Sequence, residues 1–442
     1  MSRRVATYAP AVPPTSGSAL LDLRPFRASS AFAKLWIGST LAGLGGQLTV
    51  VTVMLHVFEL TGSTFAVSMV AVAGLVPMII AGLYGGMLAD AFDRRRVALL
   101  AAVVTFASTA LLATLTWADL ENIGWLYLLS VINSAANSVG MATRTAIVPR
   151  LIPAELLAAA SALNGITQGV MVMVGPALAG VLVALTGYGL TYSIDVVLML
   201  AMFMGLWSLP ALRPEGEIVR PGIASLVDGW RYLRRSANIR TQYLMDITAM
   251  TFGNPLTLFP ALGTVLLGGG AITTGALTAS VAAGTFLSSV FSGRVARYRW
   301  HGRGIARAIQ VYGGAITLFG AVLLVGTFVP GADEQTPHLA LIAAACLALA
   351  VSGGADNVSS IYRNTMMQAA VPDAMRGRLQ GIFIVVVAGG PRLGALYAGA
   401  LASLTALWFP PLLGGLVVIV LITVLLRRVP RFREYDAMAP TA

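Results

Sequence analysis

Long apolar stretches separated by short polar connections follow one another along the whole chain. Stretches of about 18 or more apolar residues are long enough to cross a hydrocarbon layer roughly 30 Å thick as helices. Twelve such stretches are present, at 33–58, 65–89, 97–117, 124–146, 157–186, 190–210, 238–267, 273–296, 305–329, 339–362, 379–403 and 408–427. The pattern therefore predicts an all-α integral membrane protein with twelve transmembrane helices.

The composition excludes most soluble proteins. Of the 442 residues, 57% are hydrophobic and only 11% are charged, whereas soluble domains have about 25% charged residues. The formal net charge is +11, and a basic excess of this kind is also found in nucleic-acid-binding proteins. The positions of the basic residues decide between the two interpretations.

The basic residues concentrate on one side of the predicted membrane. They lie in both tails and in every second connection, such as the run 94–96, whereas the opposite connections, such as 119–121 and 332–335, contain no Lys or Arg. By the positive-inside rule, we expect a multi-pass protein of a bacterial cytoplasmic membrane with both termini in the cytoplasm. On this interpretation the basic residues determine the topology and contact membrane lipid. We therefore expect no nucleic-acid partner.

The longest basic connection divides the chain into two halves. Its apolar residues, such as Leu226, Trp230 and Leu233, recur at helical spacing beside arginines, which predicts an amphipathic helix on the inner leaflet. An ordinary linker is the alternative. The expected organisation is a cytoplasmic tail, a six-helix bundle, the linker, a second six-helix bundle and a second tail, at 1–32, 33–210, 211–237, 238–427 and 428–442.

Short motifs recur in the two halves in the same order. Arg144 precedes Pro153 by nine residues, and Arg363 precedes Pro372 by the same nine. A Gly-Pro pair at 175–176 is matched by another at 390–391. Parallel repeats around a site near the midplane of the membrane are a transporter architecture.

These motifs resemble those of the major facilitator superfamily. The connection after the second span carries Gly86, Asp90, Arg94 and Arg95 in a form similar to the loop motif of that family. The run from Arg363 through the Gly-Gly-Pro-Arg segment at 389–392 resembles the drug and siderophore exporter branch, in particular the enterobactin exporter group.

The resemblance implies a secondary active transporter that exports a small molecule by proton antiport and alternating access. The expected cargo is a siderophore, with a multidrug efflux pump as the first alternative and a nutrient uptake symporter as the second. We expect a monomer without cofactor or metal. An enzyme is disfavoured, because the three histidines are widely separated and no phosphate-binding Gly-x-x-x-x-Gly-Lys loop is present.

The resemblance also implies a conformational latch on the termini side, where an acid at the end of the second span pairs with basic residues of its own loop and faces the opposite half. The alternative is that these charges only determine topology. The latch candidates are Gly86, Asp90, Arg94, Arg95, Arg363 and Arg376.

Ionisable residues inside spans are rare and costly, so each is a functional candidate. Arg392 lies near the middle of the eleventh span, where it is expected either to attract anionic cargo or to pair with Asp246 or Asp356. Asp246 and Asp356 are candidates for proton coupling, with structural charge pairing as the alternative. Asp195 and Glu59 are further candidates, and both are expected within about a turn of the outer boundary.

Polar amide side chains inside the spans are candidates for lining a substrate cavity. Hydrogen bonding between helices, worth about 0.6 kcal/mol per side chain, is the alternative. These residues are Gln47, Asn133, Asn137, Asn164, Gln168 and Asn254.

Overall fold

The computed structural model describes residues 22–212, 230–291, 298–329, 336–371 and 373–438. Twelve long helical segments lie in this part of the chain, and we number them α1–α12. They are α1 Ser30–Thr61, α2 Thr64–Ala73 continuing as Leu75–Ala91, α3 Arg94–Trp117, α4 Ile123–Ile147, α5 157–186, α6 188–207, α7 Ala237–Gly253 with short turns to Leu266, α8 Gly270–Val290, α9 His301–Gly326, α10 Leu339–Ala370, α11 Asp373–Leu404 and α12 Phe409–Arg428.

The helices form two six-helix bundles, α1–α6 and α7–α12, so the predicted fold class is confirmed. Each bundle has its own apolar core: Leu48, Leu112 and Leu126 lie in the first, and Ile305, Phe319 and Leu349 in the second. By length and composition, eight segments of the described residues are suited to cross a membrane, and one of them, Ala159–Trp207, covers both α5 and α6.

The boundary between α5 and α6 is a single glycine. Gly187 has φ 77° and ψ 179°, whereas the helix is otherwise continuous from Leu157 to Trp207. Such a positive φ is easily adopted only by glycine. The chain therefore changes direction here with almost no loop, close to the predicted gap between 186 and 190.

Pro255 ends the first part of α7. The helix stops at Gly253, and the side-chain Oδ1 of Asn254 accepts a hydrogen bond from the Leu256 amide at 3.2 Å. Proline lacks an amide hydrogen and clashes with the preceding helical turn. The second interruption, at Gly74 in α2, has no proline and was not predicted.

The two halves contact each other on the side of the membrane opposite the termini, which we call the far side. The Thr64 hydroxyl, at the start of α2, donates a hydrogen bond to the Gly399 carbonyl of α11 at 3.0 Å. Helices α5 and α8 also approach closely: a Cβ built on Gly275 would lie 2.6 Å from the Pro176 carbonyl oxygen. These contacts close the far side.

The connection between the halves is described only in part. Residues 230–235 are helical, with Leu233 buried and Trp230 exposed, while residues 213–229 lie outside the described part of the chain. The amphipathic helix and the predicted domain boundaries therefore stay predictions.

A methyl group at Gly180 tests the contact between α5 and α8. A Cβ at this position meets the backbone carbonyl of Ala271, and overpacking of this kind costs about 1–3 kcal/mol. We expect Gly180→Ala to lower the Tm of the purified protein. Gly165→Ala, on the same helix, is the control, because a Cβ there meets no atom within 4 Å. An equal change in Tm in both variants would contradict the close contact between α5 and α8.

Candidate functional site

A cavity of about 560 Å³ lies inside the first half, between α1, α3, α4, α5 and α6. It begins near the termini side, at Trp36 and Val148, and reaches Gln47 and Asp195 deeper in the bundle. Five of the six amide residues predicted for a cavity lie in its wall: Gln47, Asn133, Asn137, Asn164 and Gln168.

Helical spacing explains why α4 contributes so many of these residues. Asn133, Asn137, Gly140 and Arg144 follow one another at intervals of three or four residues, which places them on one face. Asn133 also bonds across helices, because its amide nitrogen donates to the Thr109 hydroxyl at 3.0 Å. Asn133 therefore both lines the cavity and forms a hydrogen bond between helices.

The sixth amide, Asn254, lies elsewhere. Its Nδ2 faces the Pro391 carbonyl oxygen at 3.5 Å, and its Oδ1 accepts from the Leu256 amide. It therefore stabilises the broken end of α7 beside α11 and is not part of the cavity wall in the first half.

The expectation that Asp195 lies near the outer boundary is wrong. Its residue is 1% exposed, and it lines the cavity of the first half. The Thr49 hydroxyl donates a hydrogen bond to Oδ2 at 2.5 Å, while Oδ1 is buried without a partner in the described residues. The missing side chain at Gly45 leaves the space that this carboxyl occupies.

Glu59 lies at the exposed far end of α1, as expected. Its carboxylate accepts a hydrogen bond from the Tyr188 hydroxyl. The ring of Tyr188 stacks on buried His56, with ring centroids 4.3 Å apart. His56 in turn lies 3.8 Å from the Glu121 carboxylate.

In the second half, one arginine binds two acids. Arg363 of α10 forms an ion pair with Asp246 of α7, and its Nη2 lies 3.3 Å from Oδ1 of Asp356. We call these three residues the α7–α10 triad. The Asp246 and Arg363 side chains are only 4% and 8% exposed, whereas that of Asp356 is 38% exposed.

The exposed part of Asp356 faces the bundle interior. Leu347, on the same helix, is 68% exposed on the outer surface, and Asp356 follows it by nine residues, which is about two and a half helical turns. The two side chains therefore point in opposite directions. Asp356 is the most exposed member of the triad.

Arg392 does not pair with either acid, contrary to one of its two expected roles. Its Nε donates to the Ala71 carbonyl of α2 at 2.9 Å, and its Nη2 lies 3.0 Å from the Met78 sulfur. Ala71 is one of the last residues before the interruption at Gly74, where carbonyl groups lack helical partners and carry partial negative charge. Arg392 of the second half thus caps a helix of the first.

Two of the predicted latch arginines bind within their own half. Arg94 donates to the Ala146 carbonyl of α4 at 2.9 Å, and Arg95 donates to the Trp207 carbonyl of α6 at 3.0 Å. Arg363 belongs to the α7–α10 triad. Of the other latch candidates, the surroundings of Gly86 and the side chains of Asp90 and Arg376 lie outside the described part of the structure.

Sequence reasoning did not select Arg144 as a site residue, although its guanidinium lines the cavity. The signal was available in the repeat, because Arg144 and Arg363 occupy matching positions before Pro153 and Pro372. In the structure this matching position carries an arginine inside each half, buried at Arg363 and half-buried at Arg144.

The two-bundle fold is that of major facilitator transporters. Solved structures with this fold include a variant of the nucleoside transporter NupG (TM-score 0.69, 16% identity, 90% of this chain and 99% of that one). The inward-open xylose transporter XylE from E. coli has a TM-score of 0.65 and 14% identity, and the match covers 91% of this chain and 96% of that one. An inward-facing bacterial homologue of the iron transporter ferroportin has a TM-score of 0.64 and 14% identity, and the match covers 90% of this chain and 98% of that one.

The chain belongs to the transmembrane secretion effector family, whose sequence model matches residues 21–442. Among curated relatives, the enterobactin exporter EntS of Citrobacter koseri is 28% identical over 421 residues, covering 94% of this chain and 96% of that protein. The enterobactin exporter EntS of Escherichia coli O6:K15:H31 is 27% identical over 428 residues, with the same coverage. The protein is therefore a multi-pass membrane transporter of the major facilitator superfamily.

Removing the cation of the α7–α10 triad should destabilise the protein. Arg363→Met leaves Asp246 buried beside no positive charge, and breaking a buried pair in this way costs about 3–5 kcal/mol. We expect a marked fall in Tm, partly restored by adding Asp246→Asn. The control is Arg299→Met, since Arg299 binds Asp436 at 2.5 Å with its own side chain 60% exposed. A comparable fall in the Tm of the control variant would contradict the stabilising role of the buried ion pair between Arg363 and Asp246.

Proposed function

We propose that this protein exports a small molecule, namely a siderophore, by proton antiport and alternating access. The observation that carries the proposal is the cavity of the first half, which reaches toward the termini side while the halves are in contact on the far side. The similarity to enterobactin exporters along nearly the whole chain supports the choice of cargo.

The termini side is the cytoplasmic side in this proposal. The connections on that side carry the arginines, and the connections on the far side carry none. Cargo from the cytoplasm then enters the cavity in the conformation described above. Export follows when the far-side contacts between α5 and α8 and between α2 and α11 open and the termini side closes.

The proton is carried by Asp356 in this proposal. With both acids ionised, the α7–α10 triad has one net negative charge, and one proton makes it neutral. Charge inside a membrane protein is costly unless it is balanced. The protonated and deprotonated forms of the triad therefore differ in free energy. Asp356 takes the proton because its side chain is more exposed than that of Asp246.

Asparagine substitutions test the proton carrier in proteoliposomes. Asp356→Asn keeps the size of the side chain but cannot exchange a proton. We expect it to lose cargo movement driven by a pH gradient while retaining exchange of labelled for unlabelled cargo across the membrane. Asp195→Asn is the comparison, and it should keep the driven movement. If only the Asp195 variant becomes uncoupled, the proton site is in the first half.

Deletion of the gene tests the cargo. We expect the deletion strain to secrete less siderophore into the medium while its susceptibility to drugs is unchanged, and the wild-type gene should restore secretion. Unchanged secretion together with unchanged drug susceptibility would contradict the export proposal.

Multidrug efflux is a second candidate, favoured by the lining of the cavity. Four methionines contribute to its wall: Met141, Met171, Met199 and Met202. Methionine side chains are flexible and polarizable, and surfaces rich in them accept ligands of different shapes. Drug hypersensitivity of the deletion strain with normal siderophore secretion would select this function.

A further inference from the structure

Among the residues that the structure describes, the cavity of the first half contains an arginine, Arg144, with no acid paired to it. Arg144 lines the cavity wall, and among the residues that the structure describes it has no hydrogen bond or ion pair. A Cβ built on Gly140, one turn earlier on α4, would lie 3.0 Å from the Arg144 Nη1. The glycine therefore leaves room for the guanidinium to lie along α4 toward the middle of the bundle.

The matching arginine of the second half is neutralised. Arg363 binds Asp356, seven residues earlier on its helix, and Asp246 of α7. Seven residues before Arg144 the sequence has Asn137, and α1, the repeat partner of α7, contains no acid before Glu59 at its far end. Both acids that balance the second arginine are thus replaced by neutral side chains around the first.

The remaining charge of the cavity does not balance Arg144. Of the described residues in the wall, only Asp195 is an acid, and it lies at the deeper end, where its carboxyl accepts the hydrogen bond from Thr49. The wall that contains Arg144 also contains amide groups, such as those of Asn137, Asn164 and Gln168. Amides and guanidinium groups are hydrogen-bond donors that suit carboxylate or phenolate oxygens.

We infer that this cavity selects anionic cargo and that Arg144 is the residue that binds the anionic group. The cargo class is a small molecule with a carboxylate or catecholate group, because such a group supplies the negative charge that the first half lacks. The volume of about 560 Å³ lies within the range of pockets for drug-sized ligands. The inference rests on the proposed export function and specifies its cargo.

Binding of salicylate and salicylamide tests the inference. The two molecules have nearly the same shape, but only salicylate is anionic. We expect the full-length protein in nanodiscs of neutral lipid to prefer salicylate by about tenfold, as measured by calorimetric Kd values. Arg144→Gln should remove this preference, and Arg144→Lys should keep most of it. Arg150→Gln is the matched control, since Arg150 is exposed near the same end of α4 and outside the cavity wall.

A second variant tests the same idea without removing the arginine. Asn137→Asp recreates in the first half the spacing of Asp356 and Arg363, so it should neutralise Arg144 and abolish the preference for salicylate. This variant also keeps the experiment decisive if Arg144→Gln does not fold. Equal binding of the two molecules to the wild-type protein, binding of neither, or a preference that survives in folded Asn137→Asp would overturn the inference.

The outcome is separable from that of the proposed function, because binding is measured without a proton gradient and without transport. Anion preference without siderophore or drug phenotypes in the deletion strain would support Arg144 and contradict export. Export without anion preference would contradict Arg144 alone.

Discussion

An ionised side chain inside a membrane must be neutralised, capped or kept in contact with water, and this constraint explains most of the polar architecture of the protein. Arg363 is balanced by two carboxylates, and Arg392 is bound by a carbonyl at a helix end. Asp195 accepts a hydrogen bond from a threonine. Arg144 faces a cavity. Because so few charges occur in the spans, each of these sites is a candidate functional region.

The contact made by Arg392 links the constraint to conformational change. The interruption at Gly74 creates a helix end inside the membrane, where carbonyl groups have lost their helical partners. The guanidinium of Arg392 satisfies the Ala71 carbonyl, but it comes from the other half of the molecule. Opening the far side would separate these groups, so the same contact that satisfies the backbone also favours the closed far side.

The two halves share a fold but not a chemistry. Matching positions on α4 and α10 carry an arginine, yet in the part of the chain that the structure describes only the arginine of α10 has acids beside it. Asn137 stands seven residues before Arg144, where Asp356 stands before Arg363, so the local charge differs between the two matching helices. In the function proposed above, the repeat keeps one architecture while one half binds cargo and the other responds to protons, since function depends on individual sites and not on the fold.

The sequence by itself determined the number and approximate limits of the twelve helices, because the thickness of the hydrocarbon layer sets how long an apolar stretch must be. It also determined the break at Pro255, which follows from the covalent structure of proline, and the family, which follows from its motifs. Only the tertiary structure decided which charges meet. Asp246 binds Arg363 and Arg392 binds α2, whereas helical periodicity specifies only the face on which each residue lies, not the helix packed against that face. For the same reason the burial of Asp195 and the open side of Arg144 became apparent only once the helices were placed side by side.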